Sequence, residues 1–324
     1  MKHFVRRKLR KINFYARGVA NYATPGIVHR ACSPDVMRSV DRYDRAELAD
    51  RVDYYLKGDG PIELSDQAIR LRQLTFEHSF YTFDLRRILC RLPTSFRFDY
   101  LFGDIMHVPE SHSFVKSRPI QDDNEESVLL KLNQFRHYVR ICDKLPFREK
   151  KDIAVWRGRG SQPHRVAFVT EFYDHPLCDV GKVDAQDAYP SSDMVKPLMT
   201  IPEHLQHKFL LSIEGNDVAT NLKWIFQSNS LCLMSKPKYE TWFMEGRLEP
   251  YVHYVPLKED YSDLERQIRY YMDHPDEAEA IILNAQKYAK NFFDEPKERL
   301  LLLLVALKYA YRTGQYEGPL PLDW

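Results

Sequence analysis

Short apolar runs alternate with polar segments between Lys208 and Leu257, in the sequence KFLLSIEGNDVATNLKWIFQSNSLCLMSKPKYETWFMEGRLEPYVHYVPL. The spacing predicts strands over 209–213, 231–234 and 252–257, and helices over 217–227 and 239–245. Strands and helices in alternation indicate a parallel sheet with crossover helices. Such sheets bind ligands where the carboxyl ends of strands meet helix N-termini. The helix expected to begin at Asp217 would present free N–H groups above Gly215, which predicts a phosphate site.

The rest of the pattern predicts a helical, charged segment followed by further strands and helices. Strands are predicted over 96–103, 113–116, 153–156 and 180–184, and helices over 41–56, 66–92, 129–139, 166–172, 262–272 and 276–291. A capping box at Ser262–Glu265 marks the start of one of these helices. A last helix is expected between Pro296 and Gly314, because proline favours helix starts and glycine favours helix ends. Residues 187–197 are expected to form an irregular loop.

A polar, charged link over residues 144–152 is interpreted as the boundary between two α/β domains. We therefore predict an α/β protein with a second domain and two terminal extensions. The predicted segments are a basic arm over 1–34, an N-terminal domain over 35–148, a C-terminal domain over 149–295, and a C-terminal helix and tail over 296–324.

Composition limits the classes of function. The chain has 324 residues, of which 44% are hydrophobic, enough for two cores of ordinary size. A net charge of +1 gives no global field that would favour nucleic acid. Five scattered cysteines without a CxxC pair indicate a reducing compartment rather than a disulfide framework or a zinc site. No segment approaches the roughly 20 apolar residues of a spanning helix, so we expect a cytoplasmic protein.

The first 34 residues contain no Asp or Glu, and basic side chains alternate there with apolar ones. This pattern is typical of an arm that lies on an anionic bilayer, here through residues 1–17, and would place the protein on the inner face of the plasma membrane. A solvated basic tail and a strap on the protein's own surface are the alternatives. Nucleic acid is disfavoured, because the charge is local and no recognition motif accompanies it.

Two further stretches carry candidate chemistry. Asp104 follows the strand predicted over 96–103, where α/β sheets present functional side chains, although an Asp can equally cap a turn there. The loop WRGRGSQPHR at 156–165 combines two Gly with three Arg after a predicted strand, which suits an anionic ligand. It is neither a Walker loop nor GxGxxG, and a tight surface loop with solvated arginines is the alternative.

Three segments of the sequence resemble glycosyltransferase family 90. They are WRG…PHR, LLSIEGNDVATNLKWIFQSNSLCLM and WFMEGRLEPYVHYVPL. That family includes bacterial lipopolysaccharide core enzymes, fungal capsule xylosyltransferases and protein O-glucosyltransferases. The segments SFVKSRPI and KPKYETWFMEGRLEPYVHY are most similar to the bacterial lipopolysaccharide branch. The resemblance covers roughly the last two thirds of the chain, and the N-terminal third matches nothing that we can name.

The resemblance implies a GT-B-like fold, in which two Rossmann-like lobes face a cleft and a C-terminal helix packs back across the lobes. It also implies a UDP-sugar donor in the C-terminal lobe and inverting transfer without a metal or other cofactor. The sequence contains no Asp-x-Asp triplet, the usual carboxylate pair for a metal-bound diphosphate. The leaving UDP would then be stabilised by protein cations and main-chain N–H groups.

The resemblance further implies roles for individual residues. It implies donor binding by Arg157, Gly158, Arg165, Gly215, Val218, Ala219, Thr220, Asn221 and Lys223, with Arg165 and Lys223 at the diphosphate. Asp104 matches the general base, with Asp99 as the competing position. Arg159 stands where family members often carry Ser. Further candidate site residues are Lys116, Glu214 and Glu245.

The expected function is transfer of a sugar from a UDP-sugar to a hydroxyl group of an envelope glycan, with lipopolysaccharide core as the leading acceptor. A polysaccharide or a protein is the alternative acceptor. A nucleotide-dependent phosphotransferase is disfavoured by the missing Walker motif. A noncatalytic anion-binding or interaction protein, in which Asp104 would be structural, is the alternative from a different class.

Overall fold

The computed structural model of the chain describes residues 2–31, 33–183 and 194–322. Most of the loop predicted over 187–197, and the end of the strand predicted over 180–184, lie outside these ranges. The helices of the described residues are α1 (Lys2–Ala23), α2 (Gly26–Ala31), α3 (Ser33–Arg38), α4 (Arg45–Tyr55), α5 (Ser79–Leu89), α6 (Gln134–His137), α7 (Pro163–Phe172), α8 (Ile201–His204), α9 (Leu222–Ile225), α10 (Leu264–Asp273), α11 (Pro275–Lys290) and α12 (Glu295–Arg312). Within the same ranges, no helix has an apolar stretch long enough to cross a bilayer.

The strands give two parallel sheets and a separate antiparallel pair, which confirms the predicted α/β class. The strands are β1 (Ile69–Arg70), β2 (Arg97–Tyr100), β3 (Ser113–Val115), β4 (Ser117–Pro119), β5 (Ser127–Leu129), β6 (Lys151–Gly158), β7 (Cys178–Lys182), β8 (His207–Leu211), β9 (Leu231–Ser235), β10 (Tyr239–Thr241) and β11 (Val255–Leu257). Contacts divide the chain into two compact units. The first contains Met1–Arg136, Tyr239–Trp242 and Asp294–Trp324, and the second contains His137–Lys238 and Phe243–Phe293. The first division therefore falls before the polar link at 144–152.

The sheet of the first unit has the order β1-β2-β3-β5, with β2, β3 and β5 parallel and β1 antiparallel at the edge. Helix α12 packs on α4 and α5 of the same unit. It begins after Asp294, whose carboxylate accepts the Lys297 N–H at 3.2 Å, and ends before Gly314 at φ +66°. The helix predicted between Pro296 and Gly314 is therefore confirmed.

Buried charges hold α12 in place. The Glu298 carboxylate forms an ion pair with Arg51 at 2.8 Å and accepts hydrogen bonds from Lys131 at 2.7 Å and the Trp242 indole N–H at 2.6 Å. Arg51 and Lys131 are themselves almost fully buried. Loss of Glu298 would leave two buried cations without a counter-charge, so this network fixes the position of the helix.

The second unit contains a parallel sheet of the order β11-β9-β8-β6-β7. Counted from β6, the spatial order is 2-1-3-4-5, which is one of the doubly wound orders. Apolar side chains from β6, β8 and β9 fill its core, among them Ala154, Phe209 and Leu231. The chain leaves β6 and β8 in opposite directions across the sheet, so these two strands flank the switch point at which such folds bind ligands.

Three predicted helices are wrong. Of the segment predicted as a helix over 129–139, only the single turn α6 is helical. The preceding run of consecutive buried residues suits a strand covered on both faces and forms β5, and Asn133 at φ 54° separates that strand from α6. Residues 239–241 form β10, which pairs with β4 and places Glu240 opposite Arg118. The helix predicted over 217–227 shrinks to the single turn α9.

One further predicted helix is much shorter than expected. Only 79–89 of the segment 66–92 is helical, because its first part forms β1 and irregular backbone. The capping box is wrong as well. Helix α10 begins at Leu264, and the Ser262 hydroxyl donates to Asp260 at 2.8 Å instead of capping the helix.

Candidate functional site

The loops after β6 and β8 are joined by one guanidinium group. Arg165 lies in the first turn of α7 and reaches back to the carboxyl edge of the sheet. Its Nε donates to the Glu214 carbonyl at 2.8 Å, its Nη2 to the Ile213 carbonyl at 2.7 Å and its Nη1 to the Arg159 carbonyl at 3.1 Å. One side chain therefore connects both loops that flank the switch point.

The surroundings of Arg165 fix its orientation. The guanidinium lies over the Trp156 ring at 5.4 Å, and a Cβ added at Gly215 would be only 3.4 Å from Nη2. Burial lowers the pKa of Arg165 to about 10, against the opposing influence of Tyr261, Asp217 and Glu214. The diphosphate contact implied by the resemblance stays a prediction. The structure adds a positioning role for Arg165, since its donors point at the protein's own carbonyl groups.

The segment after Gly215 does not supply a helix N-terminus. Residues 216–221 are irregular, and Val218 and Ala219 are buried among apolar side chains, whereas Thr220 is half-buried. The Asn221 amide donates to the Leu211 carbonyl at 2.9 Å, which draws this backbone away from helical geometry. The phosphate site predicted at a helix beginning with Asp217 is therefore wrong, because no helix begins there.

Two candidates from different parts of the sequence form an ion pair. The Lys223 ammonium lies 2.5 Å from a Glu245 carboxylate oxygen, and both side chains are almost completely buried. The ammonium also lies 5.6 Å from the centre of the Phe243 ring. Lys223 is therefore enclosed by protein, and the arrangement favours a structural role over contact with a phosphate.

Arg157 and Gly158 hold the end of β6. Arg157 donates to the Asp179 carboxylate at 2.7 Å and to the Asp179 carbonyl at 2.6 Å, which links β6 to β7. Burial alone would raise the pKa of Asp179, but hydrogen bonds from Arg157 and Lys196 outweigh it and lower that pKa. A Cβ at Gly158 would lie 2.4 Å from the Trp156 ring, so only glycine fits. These residues shape the loop.

The loop after β9 joins the same edge through Glu214. A carboxylate oxygen of Glu214 accepts the Lys238 N–H at 3.1 Å, and the His164 ring nitrogen lies 2.8 Å from the Glu214 carbonyl. Exposed cations follow the ends of β6, β9 and β11 at this edge. They are Arg159, Lys236, Lys238 and Lys258. Sequence reasoning did not select the three lysines, although lysines placed directly after β9 and β11 are a readable signal.

The two carboxylates proposed as base differ in their surroundings in the first unit. Asp104 has a side chain 37% exposed and forms an ion pair with the buried Lys116 at 2.7 Å. Asp99 is buried, and its two carboxylate oxygens accept hydrogen bonds from the Ser65 N–H and the Ser65 hydroxyl. The geometry therefore favours Asp104 as the carboxylate that a substrate can reach. In the described ranges, no group of three or more His, Cys, Asp or Glu is placed to hold a metal ion.

Comparison with known proteins gives a family match and several similar enzymes. Residues 126–296 match Glycosyl transferase family 90. The O-glucosyltransferase LpsA of Dichelobacter nodosus is 43% identical over 311 residues, which cover 94% of this chain and 96% of that protein. Protein O-glucosyltransferase 3 of Homo sapiens is 28% identical over 170 residues, 51% of this chain and 33% of that protein. Protein O-glucosyltransferase 1 of Homo sapiens is 23% identical over 158 residues, 47% of this chain and 40% of that protein.

Proposed function

Because this chain belongs to glycosyl transferase family 90 and is a glycosyltransferase, we propose that it transfers a sugar from a UDP-sugar to a hydroxyl group of an envelope glycan, with inversion and without a metal. The binding of a UDP-sugar donor is supported above all by the switch point between β6 and β8, where Arg165 joins two loops beside exposed cations. We also propose that the two units are the lobes of a GT-B enzyme, since each contains a parallel sheet.

In the proposed reaction, Asp104 removes the proton of the acceptor hydroxyl as its oxygen attacks the anomeric carbon. The bond from that carbon to the UDP oxygen breaks, and its electron pair leaves with UDP. Attack from the face opposite UDP inverts the carbon. The cations at the carboxyl edge, Arg159 and Lys238 among them, stabilise the charge that develops on the diphosphate. The buried Lys116 ammonium forms an ion pair with Asp104 at 2.7 Å, which orients the carboxylate.

The relatives indicate which substrates to test first. The similarity to an O-glucosyltransferase makes UDP-glucose the first donor, ahead of UDP-galactose and UDP-xylose. For the acceptor we propose lipopolysaccharide core, supported by the similarity of KPKYETWFMEGRLEPYVHY to the bacterial lipopolysaccharide branch. A polysaccharide or protein acceptor is the alternative.

Arg165→Met should weaken UDP binding by about tenfold or more. The loss of three hydrogen bonds frees the loops after β6 and β8, and bonds from a charged donor contribute about 1.5–3 kcal/mol each. Calorimetric titration with UDP measures the effect. Arg269→Met, which removes an exposed arginine from α10, is the matched control and should bind UDP as the wild type does. Equal UDP affinity in the Arg165 variant and the wild type would contradict the donor-site assignment.

We further propose that α1 attaches the enzyme to an anionic membrane. One face of this helix packs on α5, where the Phe14 ring lies 5.2 Å from that of Phe80. Its opposite face exposes Leu9, Ile12 and Val19 by 58%, 63% and 57%. Lysines at positions 8 and 11 border this apolar face, and the first 34 residues contain no acid. An exposed apolar face bordered by cations suits an anionic lipid surface.

Vesicle flotation tests the attachment. The wild type should float with vesicles of phosphatidylcholine and phosphatidylglycerol but much less with phosphatidylcholine alone. The double variant Ile12→Ser with Val19→Ser should lose binding by about tenfold or more, because two apolar side chains no longer enter the bilayer. Leu283→Ser, an exposed leucine on α11, is the control. The attachment would be refuted if the wild type floated equally with both vesicle types and the double variant floated as well as Leu283→Ser.

A further inference from the structure

A cavity of about 470 Å³ lies within the second unit, between α10, α11 and the segment before β11. Arg148, which lies shortly before the start of β6, pairs with Glu279 in the first turns of α11 at 3.1 Å, and this places the beginning of α11 at the amino edge of the strands. The cavity is therefore at the edge opposite the ends of β6 and β8. Its volume is in the range of small-molecule sites.

Three tyrosine rings line this cavity. Tyr270 and Tyr271 meet edge to face with ring centres 5.1 Å apart, and Tyr251 is 57% exposed. The Tyr270 hydroxyl donates to the Glu277 carboxylate at 3.0 Å, and its ring stacks on His274 at 4.1 Å. The rings of Tyr270 and Tyr271 are thus held by their neighbours, and the cavity offers apolar ring faces beside polar groups, a pairing that suits a ligand with both characters.

Two amide side chains at the cavity have unused hydrogen-bonding capacity. Gln267 is only 3% exposed, yet its side-chain amide has no hydrogen-bond partner among residues 2–31, 33–183 and 194–322. The half-buried Asn284 amide likewise has none within these ranges. Because both side chains line the cavity, these amides are open to a ligand that both donates and accepts hydrogen bonds.

The backbone of Tyr251 provides an independent observation. Its φ is 61°, a left-handed conformation that favours glycine, and it is held by the Tyr251 N–H donating to the Tyr254 carbonyl at 2.8 Å. Because the Tyr251 ring is largely exposed, its packing contributes little that would offset the cost of this conformation. Residues held in this way cluster at ligand sites.

We propose that this cavity is a saccharide-binding site separate from the donor site, which takes a neutral pyranose ring of a glycan. The ring would stack on Tyr251 while its hydroxyl groups bond to Gln267 and Asn284. A diphosphate is disfavoured, because Arg266 lies 3.6 Å from Asp263 and Glu277 adds a negative charge. The ligand class rests on the proposed function. Binding a distant part of the acceptor glycan would raise the local concentration of its reacting end.

Saturation-transfer NMR with maltohexaose tests this site in the full chain. The wild type should transfer saturation to pyranose ring protons, and an excess of UDP should leave the signal unchanged. Tyr251→Gly should weaken binding by about tenfold while the protein stays folded, because glycine accepts the left-handed backbone. Gln267→Met, which keeps the side-chain volume, should weaken it by a similar factor.

Tyr311→Ala removes an exposed tyrosine outside the cavity and should keep the full signal. Absence of a signal in the wild type, displacement by UDP, or wild-type binding by both cavity variants would overturn the proposal. UDP release from UDP-glucose, measured on the same variants, should match the wild type. This separates a failure of the saccharide site from a failure of the proposed transferase function.

Discussion

Replacing Asp104 by Asn is expected to lower turnover by about 10²–10⁴-fold while UDP affinity stays unchanged. The amide preserves the shape of the side chain but cannot remove a proton from the acceptor hydroxyl. UDP affinity is retained in this account because the donor is bound by residues of the second unit. Turnover of UDP-glucose with an acceptor, together with calorimetric titration of UDP, measures both quantities.

Glu110→Gln is the matched control for this prediction, since Glu110 is an exposed carboxylate in the same loop region. It should retain wild-type turnover. If Asp104→Asn retains wild-type turnover as well, Asp104 is not the base. Asp99 is a poor replacement, because Ser65 occupies both of its carboxylate oxygens.

The Lys223→Met substitution is expected to lower the free energy of unfolding by about 3–5 kcal/mol, the cost of a buried charge left without its partner. Glu245 would be that charge, since the pair is enclosed at 2.5 Å. Urea denaturation followed by circular dichroism measures the loss. The fraction of the Lys223→Met protein that remains folded should bind UDP with nearly wild-type affinity, because Lys223 is paired and shielded from solvent.

The double variant Lys223→Met with Glu245→Leu separates the two roles considered for Lys223. It removes both charges, so most of the lost stability should return. Lys297→Met is the control for loss of a lysine whose partner, Glu47, is exposed enough for water to solvate the remaining charge, and should cost well under half as much. If Lys223→Met keeps full stability and loses UDP binding instead, Lys223 contacts the diphosphate, as the resemblance implied.

The sheet of the second unit could be predicted from the sequence, because its strands are short apolar runs bounded by polar segments. The runs predicted at 153–156, 209–213 and 231–234 all fall on observed strands, with ends shifted by a few residues. The segment after Gly215 could not be predicted, since its apolar spacing fits a helix. The hydrogen bond from the Asn221 amide to the Leu211 carbonyl, which local sequence does not reveal, opposes a helix there.

The candidate site could likewise be predicted only in part from the sequence. The loop with Arg157, Gly158 and Arg165 was found from its residue types, but its internal hydrogen bonds depend on strands far apart in sequence. Sequence therefore assigned all three to the donor, whereas the structure places Arg157 on Asp179 and Arg165 on the loop carbonyls. The preference for Asp104 over Asp99 likewise needed the position of Ser65. The family resemblance itself is confirmed, and the noncatalytic alternative is set aside.

The UDP-sugar donor is the central claim, and acceptor-free hydrolysis tests it most directly. Purified protein is incubated with UDP-glucose, UDP-galactose, UDP-xylose or ADP-glucose, each with and without EDTA, and the released nucleoside diphosphate is measured. We expect UDP to form in proportion to the amount of protein, from at least one UDP-sugar, without inhibition by EDTA. Release from ADP-glucose alone, or release that EDTA abolishes, would contradict this account.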